Sequence, residues 1–224
     1  MSWFKQTFTS SIGRKYAMAL SALFLIIFLL QHFIINLTSV LSEETFNEIS
    51  HFMGTNVLVQ FALQPVLIFG VVFHFVMGFI LEVKNRNARV IKYAMNKGSE
   101  NSSWASRNMI YSGLVILAFM GVHFYDFWIP EMVHKYVEFA PEDPNRYYHE
   151  TVEKFIDPVR VGFYVLSFVF LSLHLLHGFQ SAFQSVGANH SKYTPAIKKL
   201  SVIYAIVVPA GFIFIALYHH LTPH

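Results

Sequence analysis

The chain is 224 residues long, 54% hydrophobic and only 13% charged, with no cysteine and a formal net charge of +3 at neutral pH. Soluble domains carry roughly twice that charged fraction, so an ordinary water-soluble surface is excluded. The absence of thiols excludes disulfides, thiolate zinc sites, Cys-held iron–sulfur clusters and covalent c-type haem. On so apolar a chain, a basic balance reports membrane orientation rather than a nucleic-acid partner.

Five stretches hold no Asp, Glu, Lys or Arg: 16–42, 49–81, 108–125, 161–191 and 200–224. A hydrocarbon core about 30 Å thick needs roughly 20 helical residues to cross it, and each stretch suffices. The expected fold is all-α, a single domain over 1–224 forming an integral membrane bundle. Its five transmembrane helices are expected over 14–41, 56–83, 106–129, 158–186 and 197–220.

The first span exceeds the 7 to 15 apolar residues of a signal-peptide core and is expected to remain in place. Pro65 and Pro209 fall inside the second and fifth spans, where kinks are expected. Asp157 and Pro158 mark the start of the fourth span, which is expected to end near Gly187. The polar stretch 130–157 reads as a large external loop, too short for a core of its own. No internal repeat is evident.

Twelve of the 16 Lys and Arg lie on the side that carries the N-terminus; Lys135, Arg146, Lys154 and Arg160 lie on the other. The positive-inside rule then puts the N-terminus in the cytoplasm and, after five crossings, the C-terminus outside. Trp104, Trp128, Tyr125 and Tyr218 read as interfacial anchors, and most Phe residues as lipid-facing bulk.

Five histidines fall at membrane depth: His32, His74, His123, and the neighbours His174 and His177. Ionisable groups there are costly and point to function. Depth sorts them into pairs. His74 lies ten residues before Lys84 and His177 ten before Gly187, at the inner ends of their helices; His32 lies ten before Ser42 and His123 seven before Pro130, at the outer ends. An inner pair and an outer pair follow, separated by on the order of 10 Å or more.

Two imidazoles leave a bare divalent ion short of ligands, whereas a porphyrin supplies the other four. The expected cofactors are therefore two b haems, in a core formed by the first four helices. Bis-histidine ligation favours electron transfer, since no position stays open for oxygen. His174 and His177 share a broad face, and either can ligate; the depth match and the adjacent Gly178 favour His177, with His174 the alternative. Gly70, Gly78, Gly121 and Gly178 provide room for a flat ring or for helix packing. His51, His134, His149, His190, His219, His220 and His224, at helix ends or in loops, are read as solvated.

Five spans, one histidine in each of the first four and the segment LHLLHGFQSAF together resemble a known family, over nearly the whole chain. It is the single-chain, di-haem cytochrome b membrane anchor of succinate dehydrogenase and fumarate reductase. The resemblance implies a bacterial cytoplasmic membrane and partner subunits on the cytoplasmic side, a flavoprotein with FAD and an iron–sulfur protein. It implies electron flow through the inner haem at His74 and His177 to the outer haem at His32 and His123. The final acceptor would be a quinone, usually menaquinone, near the outer haem, for which Gln31, Glu48 and Asp126 are the candidate polar groups. Some members carry a glutamate two positions before the fourth-span ligand as a proton path; here Leu175 stands there if His177 ligates. A cytochrome b subunit of a hydrogenase or formate dehydrogenase is the alternative within redox chemistry. A histidine-relay transporter is a further alternative, but it calls for acidic partners at mid-membrane, and none of the five stretches holds one.

Overall fold

The computed structural model of the protein describes residues 10–87 and 108–222, and no strand occurs among them. Trp104 and His224, with several basic residues of the orientation count, lie outside the described residues. Seven helices follow in order: α1 (Ser11–Leu41), α2 (Glu43–Thr55), α3 (Val59–Asn87), α4 (Met109–Tyr136), α5 (Arg146–Lys154), α6 (Pro158–Ser185) and α7 (Thr194–Leu221). Five of these, α1, α3, α4, α6 and α7, are 28 to 31 residues long and apolar enough to cross a membrane. The protein is a multi-pass membrane bundle. We call the end where α1 begins the N-side and the end where α7 finishes the C-side.

Local chemistry sets the helix limits. Ser10 caps α1 by accepting from Gly13 N at 2.9 Å. Ser42 ends α1 through its own N–H to Thr38 O and starts α2 by accepting from Thr45 N at 3.2 Å. Glu43 and Glu44 then occupy the first turn of α2, where the helix dipole favours them. Asp157 caps α6 by accepting from Val159 N, Pro158 takes the first position, and Gly187 follows the helix with φ +87°.

Two membrane helices contain a five-residue π turn, Val59–Leu63 and Phe124–Trp128. Each is followed, after one residue, by a proline, Pro65 or Pro130. Proline has no N–H for the carbonyl four residues back and crowds it, and a locally widened turn relieves both. The helix therefore runs through Pro130 to Tyr136, and α5 occupies 146–154, so the stretch read as an external loop is largely helical. The amphipathic α2 was likewise not expected.

The apolar core lies between α6, α7 and α1. Tyr164, Phe168, Leu175 and Phe179 meet Ala205, Val208, Phe212, Ile215 and Ala216, with Ile26, Leu29, Phe33 and Leu37 packed alongside. Phe168 and Phe212 stack at 5.2 Å, so these rings are interior rather than lipid-facing. By contrast α3 buries only Gly70, and α4 buries only Ser112 and Asp126. Helices α3 and α4 therefore contribute little to the buried core.

Helix α7 meets α1 through a glycine. A Cβ on Gly211 would run into the ring of Phe33, which itself packs edge-on to Phe212. Gly211→Ala is expected to lower stability by about 1–3 kcal/mol, the usual cost of overpacking, and trimming Phe33 to Leu should restore most of it. Thermal unfolding in detergent reads this; an unchanged midpoint in the single variant would contradict the packing.

The C-side is closed by polar ties. Asn47 accepts from Tyr148 N at 2.8 Å, joining α2 to α5. Glu131 is held by Lys135 and Arg146, and Arg146 also reaches Glu150 at 2.8 Å. Burial opposes the charge on Arg146, but hydrogen bonds and attraction from the two glutamates outweigh it and raise its pKa. His219 corrects the expectation of a solvated role: it is 2% exposed, 2.9 Å from Ser39 Oγ and stacked on Phe155. A histidine so close to the helix end is buried because α5 and its flanks fold over the end of α7.

Candidate functional site

The first four membrane-depth histidines meet in two pairs. On the N-side, His74 of α3 and His174 of α6 face each other with ring centroids 6.4 Å apart and planes at 71°. Each ring is held from a neighbouring helix. Nδ1 of His74 lies 3.1 Å from Ser21 Oγ of α1, and Nδ1 of His174 lies 3.2 Å from Ser112 Oγ of α4. Each serine donates its single hydroxyl proton to a closer carbonyl of its own helix, Met18 O at 2.8 Å or Met109 O at 2.9 Å. The serine oxygen is therefore an acceptor toward the ring, which puts the imidazole proton on Nδ1 and leaves the Nε2 lone pair available.

The expectation preferred His177 opposite His74; it is His174 that stands there. One residue step of three carries His177 about 60° around α6 and about 4.5 Å along it, off the face that meets α3 and α4. Among the described residues His177 has neither a ring partner nor a hydrogen bond.

On the C-side, the rings of His32 and His123 are 5.8 Å apart with planes at 83°. Phe28 stacks on His32 at 5.5 Å and Phe119 on His123 at 5.6 Å, each from one turn earlier in the same helix. Phe212 and Phe127 close the other sides at 5.8 and 5.2 Å. Nδ1 of His123 is buried without a hydrogen-bond partner, while Asn36 stands 3.4 Å from both ring nitrogens of His32.

These contacts expose a repeat that was not evident from the sequence. Helices α1 and α4 share Met-x2-Ser-x6-Phe-x3-His, as Met18, Ser21, Phe28, His32 and as Met109, Ser112, Phe119, His123. Helices α3 and α6 share His-x3-Gly, as His74, Gly78 and as His174, Gly178. The two halves are built alike: a Cβ on Gly78 would stand 3.6 Å from Met18 Cε, and one on Gly178 would stand 3.4 Å from Met109 Cε. Eleven residues separate each serine from the histidine of its own helix, about three full turns, so both lie on one face. Since each serine touches the N-side pair, the two pairs are separated by about 16 Å of helix rise.

The glycines divide by role. A Cβ on Gly70 would meet the Phe24 ring at 2.9 Å, so that glycine serves helix packing, whereas a Cβ on the exposed Gly121 would meet nothing within 4 Å among the described residues.

The three candidate quinone groups have unlike surroundings. Gln31 and Glu48 are exposed, the first on α1 and the second on α2. Asp126, one turn after His123, is 2% exposed. Its Oδ2 accepts from Tyr164 Oη at 2.8 Å and lies 3.4 Å from Arg160 Nε, while Oδ1 is buried without a partner. Phe119 packs against both Tyr164 and His123, linking this acid to the C-side pair.

A polar cavity of about 230 Å³ in the C-side cap is lined by His51, Gln60, Lys135 and Arg146 among others. Its cations are already paired to Glu131, which marks it as part of the cap. Among the described residues no group of three or more His, Asp or Glu is placed to hold a metal ion. No family model, curated protein or solved structure matches the chain. The function is therefore argued from the site itself.

Proposed function

We propose that this protein is the membrane-anchoring, di-haem cytochrome b subunit of a succinate:quinone oxidoreductase. His74 with His174 would hold one b haem and His32 with His123 the other. The observation that carries this is the spacing of the rings. With a metal to imidazole-nitrogen bond of about 2.0–2.1 Å and roughly 1.1 Å more to the ring centre, two axial rings on one ion stand about 6.3 Å apart. The observed 6.4 Å of the N-side pair matches that distance, and the 5.8 Å of the C-side pair lies about 0.5 Å below it. Two imidazoles hydrogen-bonded directly, with nitrogens about 2.9 Å apart, would bring the centres to about 5.1 Å, which argues against a histidine proton relay.

Two further features suit the group. Each site offers two nitrogen ligands and no third, which suits an ion bringing its own equatorial donors. The four paired histidines are each only partly buried. When bound, bis-histidine haem supplies one-electron transfer without an open coordination site. The chain's own residues supply the rest: paired rings at two levels, a seam lined by Phe28, Phe119, Phe127 and Phe212 that excludes water, and serines that orient the N-side ligands.

By the distribution of Lys and Arg, the N-side faces the cytoplasm. Electrons from succinate would enter there from an iron–sulfur partner, itself fed by a flavoprotein with FAD, and leave near His32 and His123 to a quinone such as menaquinone. Asp126 is the best placed of the three candidate groups to take or give a quinone proton, because Oδ1 is buried, unpartnered and one turn from His123. With His174 as ligand, Ser172 stands two positions before it, so neither reading supplies a carboxylate for a proton path on α6.

The test is a reduced-minus-oxidised spectrum with haem quantification on the purified chain or complex. Two low-spin b haems per chain are expected; one per chain would overturn the double pairing. Co-purification with a hydrogenase or formate dehydrogenase subunit instead of the flavoprotein would move the assignment to that class.

A further inference from the structure

Resting on the haem reading above, we propose that Ser21 and Ser112 are paired positioning residues for the N-side haem. Each accepts the Nδ1–H of one axial histidine and holds its Nε2 lone pair toward the iron. The argument is one of proton inventory. A serine hydroxyl has one proton, and in both residues it goes to the carbonyl three residues back, at 2.8 and 2.9 Å. The longer contacts to the rings, 3.1 and 3.2 Å, are then donations from Nδ1. A ring fixed in this way cannot offer its proton-bearing nitrogen to a metal and cannot turn over without losing the bond. An acceptor on the far nitrogen also makes an imidazole a stronger electron donor, which favours the oxidised metal.

The two serines occupy equivalent places in the repeat, so the restraint is applied symmetrically, once from each half. The C-side pair has no counterpart. Asn36 follows His32 by four residues and Phe127 follows His123 by four, and His123 Nδ1 has no acceptor. The N-side haem is thus the one with both tautomers fixed by side-chain acceptors, and removing either acceptor should change that haem and spare the other.

Ser21→Ala and Ser112→Ala, with Ser→Thr controls at each position, test this in the intact protein or complex. Redox titration should show the midpoint potential of one haem moved upward in each alanine variant, with the same haem affected in both and the second haem unmoved. The low-spin resonance signal of that haem should shift as well, and threonine should restore both readouts. Unchanged potentials in both alanine variants, or movement of different haems, would overturn the proposal. A wild-type chain without haem would instead overturn the reading on which it rests. If an alanine variant loses the haem altogether, retention by the threonine variant at the same position supports the proposal, and loss there too counts against it.

Discussion

Alanine at His174 is expected to leave the protein with one haem, whereas alanine at His177 leaves two. Both residues lie on α6, three positions apart, and both are imidazoles at membrane depth, so composition and depth alone scarcely separate them. Geometry does. His174 faces His74 at 6.4 Å and has its Nδ1 bound to Ser112, while His177 has no corresponding partner. A metal held between two rings loses half its protein ligands when either is removed, so His74→Ala should abolish the same haem. The double variant should lose no more than either single one, the non-additivity expected of residues that act as a unit. Haem quantification per chain, with the surviving haem identified by its potential, reads all three. Retention of both haems in the His174 variant together with loss of one in the His177 variant would restore the expectation drawn from depth.

That comparison shows what was legible in the sequence and what was not. The five spans could be read because lipid imposes them: charges are excluded over about 20 residues, and their absence is visible at a glance. The start of α6 could be read because Asp157 and Pro158 act locally. The side of a helix that a histidine presents is not local. Counting from a helix end gives height to within a turn, and a turn is the whole difference between His174 and His177. The repeat held the missing information, since His-x3-Gly aligns His174, not His177, with His74. It was obscured because its shared positions are spaced 3, 7 and 4 residues apart among interchangeable Leu, Ile, Val and Phe. Ser21 and Ser112 were passed over for a related reason: a serine in a membrane helix ordinarily satisfies itself on its own backbone. These two do so, and only the neighbouring helix reveals the second use of the oxygen. His219 was misjudged because the chain that covers it, α5 with its flanks, was read as open loop.

Replacing His123 by alanine should separate the two ends of the electron path. On the proposed reading the C-side haem is then lost, and the N-side haem, about 16 Å away along the helices, keeps both ligands and both serines. Dithionite should still reduce that remaining haem to the wild-type extent. A quinol added to membranes or to the detergent-solubilised protein should not, because the group nearest the proposed quinone site is gone; the rate of haem reduction by quinol is expected to fall by roughly a hundredfold or more, the scale of loss when reacting groups are no longer held in position. His32→Ala should behave in the same way, whereas His74→Ala or His174→Ala should leave the C-side haem reducible by quinol and cut only its connection to the N-side. This asymmetry follows from the order of the pairs along the bundle and not from the number of haems lost. Quinol reduction of the surviving haem at an undiminished rate in the His123 variant would place the quinone beside His74 and His174, and would reverse the direction assigned to the path.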